Sequence, residues 1–225
     1  MSGAKFGPAG TAESFKTMGY KKSVQLGEYL TKFGLDHFEY QCGQGVRVSE
    51  GSAKEIGAAA VIGTTGHTAE EKAMISAAAE EIPVFFSGNM SLGIAVLCRL
   101  AKQAAAAFPD ADIEIVEVHH TRKVDAPSGT ALMLFNAIRE VRPQAVANCG
   151  RAGEGKRTKD EIGISALRLG NVVGIHEIHI HTANQSLTLK HESGSRAMLA
   201  DGAVDAARFM VGKVKGLYNM ESMLG

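Results

Sequence analysis

Between Ala58 and Ala107 the chain runs twice through one pattern: a short apolar run, a loop of small residues, then a helix-length segment. Ala58-Ala59-Ala60-Val61-Ile62 leads into Gly63-Thr64-Thr65-Gly66, and Pro83-Val84-Phe85-Phe86 leads into Ser87-Gly88-Asn89-Met90-Ser91-Leu92-Gly93. Uniformly apolar short runs suit strands buried on both faces, and strands alternating with helices build a parallel sheet. The first helix is predicted over Thr68–Glu81, with Thr68 as N-cap and Glu70 and Glu71 in the first turn, where negative charge suits the dipole. The second is predicted from about Ile94 to Ala107. In such sheets ligands sit at the carboxyl ends of the strands. Both small-residue loops fall there, and their small side chains let a ligand approach the backbone.

The pattern changes after Ala107. Asp112–Val118 reads as a strand that delivers His119 and His120, and a helix is predicted from Ala131 to about Val141, ended by Pro143. Residues 149–161 are glycine-rich and charged and read as a mobile loop. Strands follow at Ile162–Leu167, Val172–His181 and Ser186–His191, and a last helix runs from near Arg196 past Phe209. The expected fold class is α/β: a partial doubly wound, Rossmann-like unit followed by an α+β substrate and oligomerisation domain with a mixed sheet. The expected division is 1–58 as an atypical β-α-β segment, 59–110 as a partial dinucleotide-binding domain, 111–210 as the substrate-binding and oligomerisation domain, and 211–225 as a return to the cofactor domain.

Composition narrows the function classes. Lys+Arg and Asp+Glu balance at 24 each, so no global basic charge points to nucleic acid or to a membrane surface. No apolar run approaches bilayer length, and Met1-Ser2-Gly3-Ala4-Lys5 does not open a secretory signal. Cys42, Cys98 and Cys149 are scattered, which argues for buried thiols in a reducing cytoplasm rather than a disulfide framework or a zinc site.

The stretch Glu117-Val118-His119-His120-Thr121-Arg122-Lys123-Val124-Asp125-Ala126-Pro127-Ser128-Gly129-Thr130-Ala131 carries the chemistry. His119 and His120 point to opposite sides of an extended chain, so one can act as acid or base while the other binds. Lys123 supplies a compact positive charge and a proton. Pro127-Ser128-Gly129-Thr130 leads into a helix whose first backbone N–H groups, dipole and hydroxyls make an anion site. Taken singly, a histidine at a strand end is usually structural, a serine here is usually an N-cap, and a lysine usually lies on the surface. Together in one short segment they suit a small carboxylate substrate that is protonated during reaction.

This block resembles the signature of the 4-hydroxy-tetrahydrodipicolinate reductase (dihydrodipicolinate reductase) family. The resemblance extends from about Ala58 to the C-terminus. It includes Val61-Ile62-Gly63-Thr64-Thr65-Gly66, Gly88-Asn89-Met90-Ser91, Ile162-Gly163, Arg168, Gly174-Ile175-His176-Glu177, Ser195-Arg196 and Gly216-Leu217-Tyr218-Asn219-Met220. It implies an NAD(P)H-dependent oxidoreductase of lysine and diaminopimelate biosynthesis, with NADPH or NADH as cofactor. By the same resemblance His119 would be the proton donor and acceptor, and Lys123 a proton donor. His120, Gly129 and Thr130 would bind the dicarboxylate, beside Ser128 of the anion site. Gly63, Thr64 and Thr65, with Ser87, Gly88, Asn89 and Met90, would contact the cofactor. A homotetramer joined through the C-terminal sheet is also implied. The alternative is a catalytically dead substrate-binding or oligomerisation remnant of the same family.

The opening departs from the family pattern. Gly7-Pro8-Ala9-Gly10 is not a full dinucleotide fingerprint, because Glu13 stands where a third glycine belongs. Lys5-Phe6-Gly7-Pro8-Ala9-Gly10 and Gly34–Val46 instead resemble the start of an endonuclease IV-like TIM-barrel protein, a likeness confined to residues 1–58. The family's glycine-rich pyrophosphate loop is missing before Val61, so weak cofactor binding is expected. His179 and His181, with His176 nearby, share the look of a metal site, but no carboxylate or cysteine completes a set nearby, so they read as solvent-facing strand residues or an oligomer contact and no metal is assigned. Arg151, Lys156, Arg157 and Lys159 read as a solvated loop, interleaved with Glu154, Asp160 and Glu161.

Overall fold

The computed structural model describes residues 59–225, and these fall into two compact units. The opening glycine turn, the β-α-β reading and the barrel-like likeness of residues 1–58 lie outside the described residues. One unit comprises the described residues up to Met90 together with Ala200–Gly225, and the other comprises Ser91–Leu199.

In the first unit, β1 (Ala60–Ile62), β2 (Pro83–Phe86) and β8 (Gly216–Tyr218) form a parallel sheet in the order β1-β2-β8. Helix α1 (Ala69–Ala79) joins β1 to β2. Thr68 caps it as expected: its side chain accepts from the Glu71 N–H, and the Glu71 carboxylate accepts from the Thr68 N–H in return. The short β8 was not foreseen. Three residues led by a glycine carry no strand pattern of their own; pairing with β2 makes them a strand. Phe85 is fully buried on β2, with Phe209 of the last helix edge-on at 6.2 Å and Tyr218 edge-on to Phe209 at 5.9 Å. The unit boundary falls inside α4, which spans Ala197–Phe209. Within the first unit, Gly202 of α4 has no room for a side chain, because a Cβ there would land on the Met90 carbonyl oxygen.

The second unit is built on a five-stranded mixed sheet in the order β4-β5-β3-β6-β7, with β4 (Val146–Cys149), β5 (Glu161–Arg168), β3 (Asp112–His119), β6 (Gly174–His181) and β7 (Ser186–Ser193). β4, β5 and β3 run parallel, while β6 and β7 complete the sheet antiparallel. Helices α2 (Leu92–Ala107) and α3 (Gly129–Arg139) pack on one face. The period-two alternation of β3 places Ile113 and Ile115 against Ile162 and Ile164 of β5 and Ile178 and Ile180 of β6. Ile94, Leu97, Leu134, Phe135 and Ile138 of the helices close the core. Arg142, just beyond α3, is buried and donates to the carbonyls of Ala105, Phe108 and Ala111, tying down the end of α2.

Several local expectations change. α3 begins at Gly129, because Ser128 rather than a later residue provides the cap. The stretch after Cys149 was read as mobile and solvated, yet Arg157 anchors it. Its guanidinium meets Asp112 Oδ1 at 2.9 Å, Glu114 Oε1 at 2.6 Å and the Ile113 carbonyl at 3.1 Å. Cys149 is exposed at the end of β4 and Cys98 half-buried on α2, so neither is the fully buried thiol expected; an edge strand leaves its last side chain to solvent. Among the described residues no helix is long and apolar enough to cross a membrane.

Candidate active site

On the helix-covered face of the mixed sheet the core parity of β3 runs Ile113, Ile115, Glu117, His119. The last two are polar and buried, Glu117 completely. A buried carboxylate demands donors, and Glu117 has four. Oε2 faces His119 Nδ1 in a short contact and accepts from Arg168 Nη1 at 3.1 Å. Oε1 accepts from Arg168 Nη2 at 3.0 Å and from the Ser128 backbone N–H at 3.1 Å. Arg168 reaches this point because it pairs in register with His119 across β5 and β3. Burial works against the charge on Glu117, but hydrogen bonds from Arg168 and His119 outweigh it and hold the carboxyl below its ordinary range.

His176 of β6 lies edge-on to His119, with ring centroids 5.1 Å apart. Its Nε2 is 3.3 Å from Ser128 Oγ. Burial, and then the neighbouring His119, push its pKa down to about 4, so it stands as a neutral ring. The Ser128 hydroxyl also accepts from the Ala131 N–H at 3.2 Å. Ser128 is thus a buried N-cap whose hydroxyl is engaged inside the protein. Gly129 opens α3 on the exposed side, with nothing within 4 Å of where a Cβ would stand, and Thr130 is next to it in the first turn.

The loop between β3 and α3 is held at several points. The Thr121 N–H donates to the Gly170 carbonyl at 3.1 Å, and Arg122 donates to Asn171 Oδ1 at 2.8 Å. Lys123 Nζ lies 2.7 Å from Asp125 Oδ1, and the hydrogen bond from Lys123 is the largest influence lowering the Asp125 carboxyl. His120 Nδ1 is buried without a hydrogen-bond partner. Burial and then the positive charges of Arg122 and Arg196 disfavour its protonated form. Those cations around His120 make this end of the sheet a place for an anion.

All six residues assigned to substrate and catalysis thus lie in the second unit. The seven assigned to the cofactor lie in the first, at the carboxyl ends of parallel strands β1 and β2. Gly63 faces the Met90 side chain, with a Cβ position only 3.0 Å from its terminal carbon. Thr64 is half-buried and Thr65 exposed. Ser87 folds its own loop by donating to the Asn89 carbonyl at 2.7 Å, and its N–H meets the Ile62 carbonyl at 3.1 Å. A Cβ on Gly88 would stand 4.0 Å from the Thr65 side chain, in ordinary contact. Two side-chain-poor loops at adjacent strand ends fit the approach of a flat cofactor to backbone.

Sequence reasoning did not assign roles to Glu117, Arg168, His176 or Arg196. The parity of β3 carried the signal for the first: an acid on a core-facing position implies a buried partner. The same alternation separates the candidate metal histidines. His176 shares the covered face with Ile178 and Ile180, whereas His179 lies on the other face. A carboxylate does stand beside His179, because Glu177 Oε2 is 3.2 Å from its Nε2, contrary to the expectation of none nearby. Among the described residues no group of three or more His, Cys, Asp or Glu is placed to hold a metal ion.

A family model described as "Dihydrodipicolinate reductase, C-terminus" matches residues 93–224, and one described as "Dihydrodipicolinate reductase, N-terminus" matches residues 47–90. The chain is 45% identical over 166 residues to the 4-hydroxy-tetrahydrodipicolinate reductase of Clostridium tetani, a match that spans 73% of this chain and 65% of that protein. It is 45% identical over 186 residues to the protein of the same name from Caulobacter vibrioides, spanning 80% of this chain and 72% of that one. Among solved structures, dipicolinate-bound dihydrodipicolinate reductase from Paenisporosarcina sp. TG-14 is similar with a TM-score of 0.66 at 28% identity. That likeness covers 86% of this chain and 75% of the other. The chain spans about two thirds of the length of the curated relatives it matches.

Proposed function

The chain belongs to the dihydrodipicolinate reductase family, and on that premise we propose that it is an NAD(P)H-dependent oxidoreductase reducing 4-hydroxy-tetrahydrodipicolinate to tetrahydrodipicolinate in lysine and diaminopimelate biosynthesis. The observation that carries the reading is the segment from Glu117 to Thr130. It gathers an imidazole, an ammonium and a helix start at one end of one sheet. The dicarboxylate is proposed to dock against His120 and the first turn of α3 at Gly129 and Thr130, drawn by Arg122 and Arg196. The dipicolinate in the similar solved structure is a dicarboxylate of this kind. Lys123 supplies a proton at Nζ, and His119 exchanges one at Nε2, the ring nitrogen not turned to Glu117.

A nicotinamide cofactor, when bound, supplies the hydride. Gly63, Thr64, Thr65, Ser87, Gly88, Asn89 and Met90 are the residues proposed to hold it, through backbone and hydroxyl groups. A cytoplasmic homotetramer joined through the C-terminal sheet goes with the proposal, and sedimentation of the purified protein tests the assembly.

The test of function is oxidation of NADPH or NADH with freshly made substrate, in wild type, Lys123→Ala and His179→Ala. Turnover lost in Lys123→Ala and kept in His179→Ala supports the assignment. Equal behaviour of the two variants overturns the site. No turnover in wild type, with dicarboxylate still bound, favours a catalytically dead binding module. Calorimetry with NADPH is expected to show weak binding, and tight binding would refute the expected loss of the pyrophosphate cradle.

A further inference from the structure

We propose that Glu117 is the positioning residue of the site: with Arg168 as its fixed counter-charge, it locks the neutral ring of His119 into the Nδ1–H form and leaves Nε2 as the one nitrogen that exchanges a proton. For catalysis this rests on the reductase reading above; the state of the imidazole does not.

The argument is one of hydrogen-bond capacity. A carboxylate has about four acceptor sites. Three of those on Glu117 meet groups that only donate: Nη1 and Nη2 of Arg168 and the Ser128 N–H. A guanidinium stays charged throughout the pH range of proteins, and a backbone amide has no other proton state. With these donors around it and no exposure to water, Glu117 is held as the anion. The fourth contact, to His119 Nδ1, then places the shared proton on the ring. The bidentate clamp of Arg168 also stops the carboxylate from turning, so the ring it holds cannot turn either.

The other edge of the ring lies beside Gly174. A Cβ on Gly174 would stand 3.2 Å from His119 Nε2, and glycine there leaves that flank open. His176, held neutral, covers one side of the ring without adding charge. The two nitrogens of His119 therefore have separate tasks, one bonded to Glu117, the other beside Gly174.

Replacement of Glu117 by Gln keeps shape and removes this asymmetry. Either orientation of the amide sets its NH2 against one Arg168 donor, but the Oε1 site adds the Ser128 N–H, so the NH2 takes the Oε2 site, where it donates to Nδ1 and moves the ring to its Nε2–H form. The experiment is 15N imidazole NMR on the full chain, with side-chain assignment of His119, in wild type, Glu117→Gln and the double variant Glu117→Gln/Arg168→Met. The double variant removes both charges together and so spares the fold an unpaired buried ion. At a pH where the ring is neutral, the expected wild-type spectrum shows a protonated Nδ1 and a bare Nε2, with both variants moved toward protonated Nε2. Kinetics run alongside should show kcat lowered about a hundredfold or more in Glu117→Gln, with KM nearly unchanged, the pattern of a wrong tautomer. A wild-type His119 in the Nε2–H form, or an Nδ1–H signature that persists in both variants, overturns the proposal. A wild type that turns over nothing bears on the reductase reading, and the spectra still decide the role of Glu117.

Discussion

The two units hold their functional loops by different means. In the unit of β1, β2 and β8, the loop after β2 is fixed by backbone and small residues: Gly202 of α4 lies against the Met90 carbonyl, Gly63 against the Met90 side chain, and Ser87 folds its own turn. In the unit of the mixed sheet, the loop after β3 is fixed by buried charge: Glu117, Arg168, His119 and the Ser128 N–H satisfy one another. Close backbone packing suits a surface that receives a cofactor along the main chain. A buried ionic network suits a surface that must hold one proton at one nitrogen. The first tolerates changes of exposed side chain and no added carbon at the contact; the second tolerates loss of matched charges together better than loss of one charge alone.

That contrast can be broken in several ways. The largest effect should come from the chemistry itself. Lys123→Ala is expected to lower kcat/KM about a thousandfold, while His179→Ala, on the other face of the same sheet, stays within about twofold. Gly202→Ala should cost about 3 kcal/mol or more of stability, because the new methyl meets a backbone oxygen that has little room to move. Urea unfolding followed by probes in each unit would show that loss in the parallel-sheet unit.

The mixed-sheet unit should instead be sensitive to acid. His176 takes up its proton at about 4 in the folded protein against 6.5 for the free group. Between those values the unfolded chain binds more protons, so stability falls as the pH drops through that window. The shift corresponds to about 3 kcal/mol, and His176→Gln should remove most of that slope in a pH series of melts. Glu117, with its carboxyl held below its ordinary range, acts in the same direction at lower pH still: its contribution is present above the ordinary carboxylate range and lost as the pH falls through its folded value. The smallest effect is Thr68→Ala, which removes one side of the α1 capping box and should cost about 1 kcal/mol by thermal melting.

How much of this was legible in the sequence follows from where each signal resides. The buried strands β2 and β3 were legible because short apolar-rich runs are local signals. Helix α1 was legible because its cap and first turn are written side by side. β4 and β8 were not, since each is short and becomes a strand only through the neighbour it pairs with. The site divides the same way. His119, Lys123 and Gly129 sit in one contiguous stretch and could be read together. Arg168 lies 51 residues from Glu117, and His176 lies 48 from Ser128. Only sheet register brings those pairs together, and no spacing rule along the chain announces them. Ser128 shows the reverse case, where a hydroxyl assigned to substrate is engaged as a cap and against His176.

The anchoring of the glycine-rich segment by Arg157 has a practical consequence. Gly150 to Lys156 are exposed, and Gly150 and Gly153 have positive φ, but the chain is gripped on either side of them. Upstream, β4 is bonded along β5; downstream, Arg157 is bonded to Asp112 and Glu114 of β3. A protease cut or an inserted tag near Gly153 should therefore leave two pieces that remain clasped, and the gene could be divided there into halves that reassemble when expressed together.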